Sequence, residues 1–171
     1  MIDVIDNFLG RNDFIKIFEG IERRETFPWY LNHGVNTRND GNIQFTHLFF
    51  QNGRICSDSF QFIEPILNKL KIDDYEKDLL KVKINLLHRT DDVLVHGLHV
   101  DNLDEETNEN TMTAIYYINT NNGYTLFEDG ATIQSYANRL VKFPATIKHS
   151  GATNTDDIKY RMVLNINWNK R

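Results

Sequence analysis

The chain is poor in the residues that usually staple or punctuate a fold. Among 171 residues there is a single cysteine, Cys56, so no intrachain disulfide can form. That favours a reducing compartment and excludes a zinc site built from cysteines. Only three prolines occur, Pro28, Pro65 and Pro144, each isolated, and no Pro-, Gly- or Ser-rich linker divides the chain. No apolar run approaches the ~18 residues of a membrane-spanning helix. The opening MIDVIDNFLG carries Asp3 where a signal peptide carries positive charge, and its apolar run is short, so no signal peptide is expected. Positive charge is not in excess either. Nineteen Lys and Arg face 24 Asp and Glu, for a formal charge of −5. This argues against a strongly basic nucleic-acid binder and leaves room for a local basic patch. The expectation is one globular, cytoplasmic domain over residues 1–171, long enough to bury roughly 70% of its unfolded surface.

What is present divides near residue 80. Before it, Phe14, Ile17, Phe18 and Ile21 have helical spacing, with Asn12 as an expected N-cap and Gly20 near the expected end. FPWYLN (27–32) reads as the start of an extended segment and IQFTHLFF (43–50) as a strand. Residues 32–42 read as a loop. Phe60, Ile63, Ile66, Leu67 and Leu70 lie on one helical face, interrupted only by Pro65. From Lys81 onward the pattern becomes short strands separated by turns: KVKINLLH, VLVHGLHVD, TMTAIYYIN, YTLFE, ATIQSYA, RLVKFPA and YRMVLNINW. So many strands in about ninety residues predict a mainly β (α+β) fold. A jelly roll over 81–171 fits best, with helices from a support region, 1–80, covering one sheet.

One group of residues carries chemistry. In an extended HVD, His99 and Asp101 project to the same side. An imidazole and a carboxylate side by side are two ligands for a divalent metal, and His149 is the candidate third. Two His and one carboxylate occupy one face of an octahedron and leave three positions open, the arrangement of non-haem Fe(II) oxygenases. Twelve residues on, Arg161 opens the last strand and shares a face with Val163, Asn165 and Asn167, while Met162, Leu164, Ile166 and Trp168 form the apolar face. An arginine at the head of a polar inner face suits a dicarboxylate, which a guanidinium grips in a bidentate manner.

The order and spacing of HVDN (99–102), YYIN (116–119), NNGYTLF (121–127), NRLVKFPATIKHSG (138–151) and YRMVLNINW (160–168) resemble the Fe(II)/2-oxoglutarate-dependent dioxygenases, in particular the prolyl 4-hydroxylase-like branch. The small size is similar to versions from phages and marine bacteria, which would place a phage-encoded protein in its host's cytoplasm. DNFL (6–9) and FPWY (27–30) resemble the family's amino-terminal region. The resemblance implies a double-stranded β-helix, the cupin-like jelly roll, with Fe(II), 2-oxoglutarate and O2 as metal, co-substrate and oxidant. His99, Asp101 and His149 would ligate the metal. Arg161 would pair with the distal carboxylate of 2-oxoglutarate and Tyr117 would donate its hydroxyl to the same group, although Tyr116 sits beside it and only one of the two can face inward. Asn85 and Asn165 would line the co-substrate pocket. No side chain is needed as a general acid or base.

Two departures stand out: Asn122–Gly123 replaces the usual double glycine, and His96 stands three residues before His99, where the family often has Tyr. The implied activity is hydroxylation of a C–H bond, with a prolyl residue of a peptide or protein as substrate and a free amino acid or nucleobase as alternatives. A non-catalytic jelly-roll binding module and a cupin-type metal enzyme remain competing classes. With so little chain beyond the core, substrate choice falls to loops in 32–58 and 101–112, and the acidic stretch 101–110 leaves directly from a metal-ligand candidate. His33, His47, His88 and Cys56 have no assigned role.

Overall fold

A computed structural model describes residues 1–35, 40–101 and 110–170. The amino-terminal segment forms β1 (Asp3–Ile5), α1 (Arg11–Ile17), a π-helical turn (Phe18–Glu22), β2 (Tyr30–Asn32), β3 (Gln44–Gln51) and β4 (Arg54–Ile55). A 3-10 turn (Phe60–Phe62), α2 (Glu64–Lys69) and α3 (Tyr75–Asp78) follow. The strands of the second part are β5 (Leu79–His88), β6 (Thr111–Tyr117), β7 (Tyr124–Phe127), β8 (Thr132–Gln134), β9 (Leu140–Pro144), β10 (His149–Gly151) and β11 (Tyr160–Asn169).

Two antiparallel sheets result. The larger runs β1-β9-β6-β11-β5-β3-β2, with β4 paired to β3, and the smaller runs β10-β7-β8. The expected jelly roll is present, with helices on one face. The sheet also draws on residues before 81, because β3 pairs with β5 from Phe45 opposite Leu86 to Gln51 opposite Lys81. Two periodicities place the layers. On β11, Met162, Leu164, Ile166 and Trp168 join Phe49, Ile63, Ile66 and Leu67 in the core beneath the helices. Ile115, Tyr117, Phe127, Val141, Phe143 and Val163 form a second cluster between the two sheets. Central strands buried on both sides therefore separate a dry helical core from an inner cavity.

The helical expectations need correction at their ends. Gly10, not Asn12, caps α1, and no side chain caps it. Gly20 does not end the helix; it lies inside the π turn, where a Cβ would sit 2.6 Å from the Phe62 ring. It is there for close approach of two segments. The helix expected through Pro65 is broken at Ile63 and restarts as α2, with Pro65 in its first turn, where a missing N–H costs nothing. The DNFL segment is tied down by Asn138, held at φ 63°. Its Oδ1 accepts from Leu9 N–H at 2.8 Å and from Tyr116 O–H at 2.8 Å, and its Nδ2 donates to Leu9 O. Among the described residues no helix is long and apolar enough to cross a membrane.

Candidate metal centre and inner cavity

The segment expected as a strand over 93–101 is not one. It touches β10 only through isolated antiparallel bridges, Val95 to Ala152 and His99 to His149. Four steps along one chain match three along the other, so an extra residue bulges out around Gly97. That bulge breaks strict alternation. His96 is buried, and Ser150 Oγ donates to its carbonyl. The HSG segment forms a strand of its own, β10, paired with β7 from His149 opposite Phe127 to Gly151 opposite Thr125.

The bridge makes the two histidines direct cross-strand neighbours. His99 N–H donates to His149 O at 3.0 Å and His149 N–H returns the bond at 2.9 Å, with ring centroids 5.2 Å apart. Each Nδ1 lies near the carbonyl two residues back, Gly97 O at 3.0 Å and Ile147 O at 3.3 Å. A proton held on Nδ1 leaves both Nε2 atoms as lone-pair donors. Asp101 Oδ1 stands 3.8 Å from His149 Nε2. Its Oδ2 is occupied, accepting from Asn167 Nδ2 at 2.7 Å and from Thr113 Oγ1 at 3.3 Å. The three donor atoms lie within 4.8 Å of one another. Two imidazole nitrogens and one carboxylate oxygen, each oriented by a hydrogen bond behind it, fit a divalent ion such as Fe(II).

At the other end of the same cavity lies Arg161, 2% exposed. Its Nε donates to Ser135 Oγ at 2.8 Å and its Nη2 to Thr125 Oγ1 at 3.0 Å, with the guanidinium carbon 5.6 Å from the centre of the Tyr117 ring. No carboxylate among the described residues pairs with it, and burial pulls its pKa below the usual arginine value. Gly123 makes the space: a Cβ there would sit 2.7 Å from Arg161 Cδ. The retained glycine of Asn122–Gly123 is therefore the one that accommodates the arginine.

Tyr117, and not Tyr116, is on the inner face, but it reaches the cavity only indirectly. Its hydroxyl donates to Thr125 Oγ1 at 2.8 Å instead of standing free for a ligand. Thr125 Oγ1 thus accepts from both Tyr117 and Arg161, so its own proton is left to donate toward the cavity that it lines. Asn85 and Asn165 line the cavity, and each has a buried Oδ1 without a partner. Buried polar atoms are rarely left so, and both oxygens suit a group that donates a hydrogen bond. Thr125 and Ser135 escaped the sequence reading. Thr125 stood inside the quoted NNGYTLF motif, whereas Ser135 had no local signal. Thr113 escaped as well, and Asn167 had been placed on the right face without a role.

His33 and His88 stay outside the cluster, and Cys56 is an exposed free thiol. His47 supports the helical side: its Nδ1 lies 2.8 Å from Pro28 O and its Nε2 2.7 Å from Ser57 Oγ. Of the loops expected to choose substrate, residues 36–39 in the first and 102–109, most of the second, lie outside the described residues.

Burial holds His47, His96 and His149 below the ordinary histidine pKa. The unfolded chain therefore binds more protons than the folded one below about pH 6.5, and stability falls with pH there. Between pH 7 and 5.5 the metal-free protein is expected to lose up to ~1.4 kcal/mol per pH unit for each histidine that must take up a proton. Urea unfolding across that range measures it, and a flat profile would contradict the burial argument. His47→Gln should reduce the slope.

No protein-family model matches the sequence, and no curated protein is a detectable sequence relative. Solved structures do match. A prolyl-4-hydroxylase of Pseudomonas putida superposes with a TM-score of 0.67 at 13% identity, over 99% of this chain and 92% of that one. The non-heme alpha ketoglutarate dependent epimerase SnoN from nogalamycin biosynthesis gives 0.69 at 12% identity, over 99% and 76%. A prolyl hydroxylase of Trichoplax adhaerens, in complex with a hypoxia inducible factor peptide fragment, gives 0.64 at 11% identity, over 99% and 83%. The architecture expected from strand count and motif order is thus the one observed: the chain has the double-stranded β-helix fold of the prolyl hydroxylases and related 2-oxoglutarate-dependent enzymes.

Proposed function

We propose that the protein is an Fe(II)- and 2-oxoglutarate-dependent dioxygenase that hydroxylates a C–H bond, with a prolyl residue of a peptide or protein as its substrate. The observation that carries this reading is Arg161. A buried guanidinium with no carboxylate paired to it among the described residues, in a cavity that also offers two imidazoles and a carboxylate, fits a dianionic co-substrate beside a metal ion. His99, Asp101 and His149 would hold the ion. Bound there, Fe(II) with 2-oxoglutarate and O2 supplies the oxidising power that couples decarboxylation to C–H hydroxylation. The chain's own residues position and desolvate. Arg161 grips the distal carboxylate, Thr125 donates to it, and Tyr117 orients Thr125. Asn85 and Asn165 offer amides along the wall. Asn167 and Thr113 keep Asp101 turned toward the ion. The prolyl substrate is favoured by the prolyl hydroxylases among the structural neighbours, one of them with a peptide bound.

The test is succinate formation from 2-oxoglutarate by protein loaded with Fe(II) under anaerobic conditions and then exposed to air, with and without a pool of proline-rich peptides. Slow succinate release, absent in His149→Ala and accelerated by the peptides, is expected. No turnover, together with no thermal stabilisation by Mn(II) plus 2-oxoglutarate, would overturn the oxygenase reading in favour of a binding module.

A further inference from the structure

Resting on the oxygenase reading, we propose that the substrate carries a carboxylate near the carbon that reacts, and that Lys83 receives it. Lys83 lies on β5 directly opposite Asn165 on β11, on the cavity side of the sheet. It lines both the inner cavity and an adjoining opening whose wall includes His99, Val100 and Asp101. Lys81, two residues away, faces the same opening.

The Lys83 ammonium is largely desolvated, which pulls its pKa down, and no carboxylate among the described residues pairs with it. Asp101 helps it electrostatically, but that carboxylate is already held by Asn167 and Thr113 and turned toward the two histidines. The cavity thus holds two unpaired cationic side chains at separate places. Arg161 accounts for one carboxylate of 2-oxoglutarate, and the metal accounts for the other end. The charge of Lys83 remains. A desolvated cation without a partner is costly, so a ligand group of opposite charge is the chemistry that suits it. The chain is acidic overall, with a formal charge of −5, yet two lysines, Lys81 and Lys83, line this opening. Such a local field draws an anion in and rejects its neutral analogue.

The same carboxylate could belong to an acidic side chain flanking a proline or to a free amino acid. The experiment separates these sources. Protein loaded with Mn(II) and 2-oxoglutarate, which cannot turn over, is titrated by calorimetry with four probes: the peptides Gly-Glu-Pro-Gly and Gly-Gln-Pro-Gly, both blocked at their termini, and free L-glutamate and L-proline. The glutamyl peptide is expected to bind at least about tenfold more tightly than its glutamine twin. That preference should vanish in Lys83→Met and persist in Lys83→Arg. Binding of a free acid alone, with the same dependence on Lys83, assigns the carboxylate to a small substrate. Equal affinity for the twins with no Lys83-dependent binding of the free acids, or no binding of any probe, overturns the proposal. So does a loss of 2-oxoglutarate affinity in Lys83→Met, which would give Lys83 to the co-substrate. Thermal stabilisation by Mn(II) plus 2-oxoglutarate, read first on the same sample, reports separately on the oxygenase reading.

Discussion

Arg161→Met is expected to abolish the stabilisation that 2-oxoglutarate gives to the Mn(II)-loaded protein, while leaving the ligand-free protein no less stable. The two halves have opposite signs, and that is the strength of the test. In the free protein the guanidinium is 2% exposed and faces hydroxyls, not a carboxylate. Replacing a buried, uncompensated charge by an apolar side chain of similar length removes a desolvation penalty of several kcal/mol, roughly, at the expense of two hydrogen bonds worth about 1–3 kcal/mol each. The net change in the unfolding midpoint of the free protein should therefore be small or upward. With the dianion present the balance reverses. A bidentate pair between Arg161 and a carboxylate, deep in a cavity, should carry at least about a hundredfold in affinity. Arg161→Lys should recover only part of it, because an ammonium lacks the fork and cannot replace both bonds to Ser135 and Thr125. Two scanning calorimetry series, with and without 2-oxoglutarate, decide the matter. A variant that loses stability in the absence of ligand would mean that Arg161 is a structural anchor and that its burial says nothing of a co-substrate.

The same side chain shows how much of this molecule could be read in advance. Arg161 and its neighbours Asn165 and Asn167 were assigned to one face because a strand alternates with period two, and β11 does so over ten residues. That rule is local and needs no partner strand. The His99–Asp101 pairing rests on the same alternation, although the segment is not a regular strand: a bulge precedes His99, and a bridge ties His99 to His149. What stayed hidden depends on strands far apart in sequence. Ser135 reaches Arg161 across twenty-six positions, and Thr113 and Asn167 meet Asp101 from two different strands. Each is a small polar residue among many, distinguished only by register. Tyr117 illustrates the same limit. Alternation could leave one of Tyr116 and Tyr117 inside, but that its hydroxyl would be spent on Thr125 follows from how β6 sits against β7, which no local pattern states.

That register gives the second large effect, at Asp101. Asp101→Ala should remove the only carboxylate of the three-donor cluster and leave two imidazoles, so Fe(II) or Mn(II) should bind at least about a thousandfold more weakly, since hard divalent ions depend on oxygen donors. The graded version is more informative. Asn167→Leu keeps the carboxylate but deletes the 2.7 Å bond that holds Oδ2, and it also strips Thr113 Oγ1 of the amide that bonds to it at 2.9 Å. Released, the carboxylate can rotate away from His149, or chelate in a different mode. Partners behind a metal ligand typically contribute about 10–100-fold in affinity, so Asn167→Leu should fall between the native protein and Asp101→Ala. Fluorescence or calorimetric titration with Mn(II) reads this directly, without turnover. The mechanism makes a further demand on the order of effects. If Asn167 acts by aiming Asp101, the double substitution should bind the ion no more weakly than Asp101→Ala alone, because there is no carboxylate left to aim. Additive losses in the double variant would show instead that Asn167→Leu disturbs the cavity as a whole.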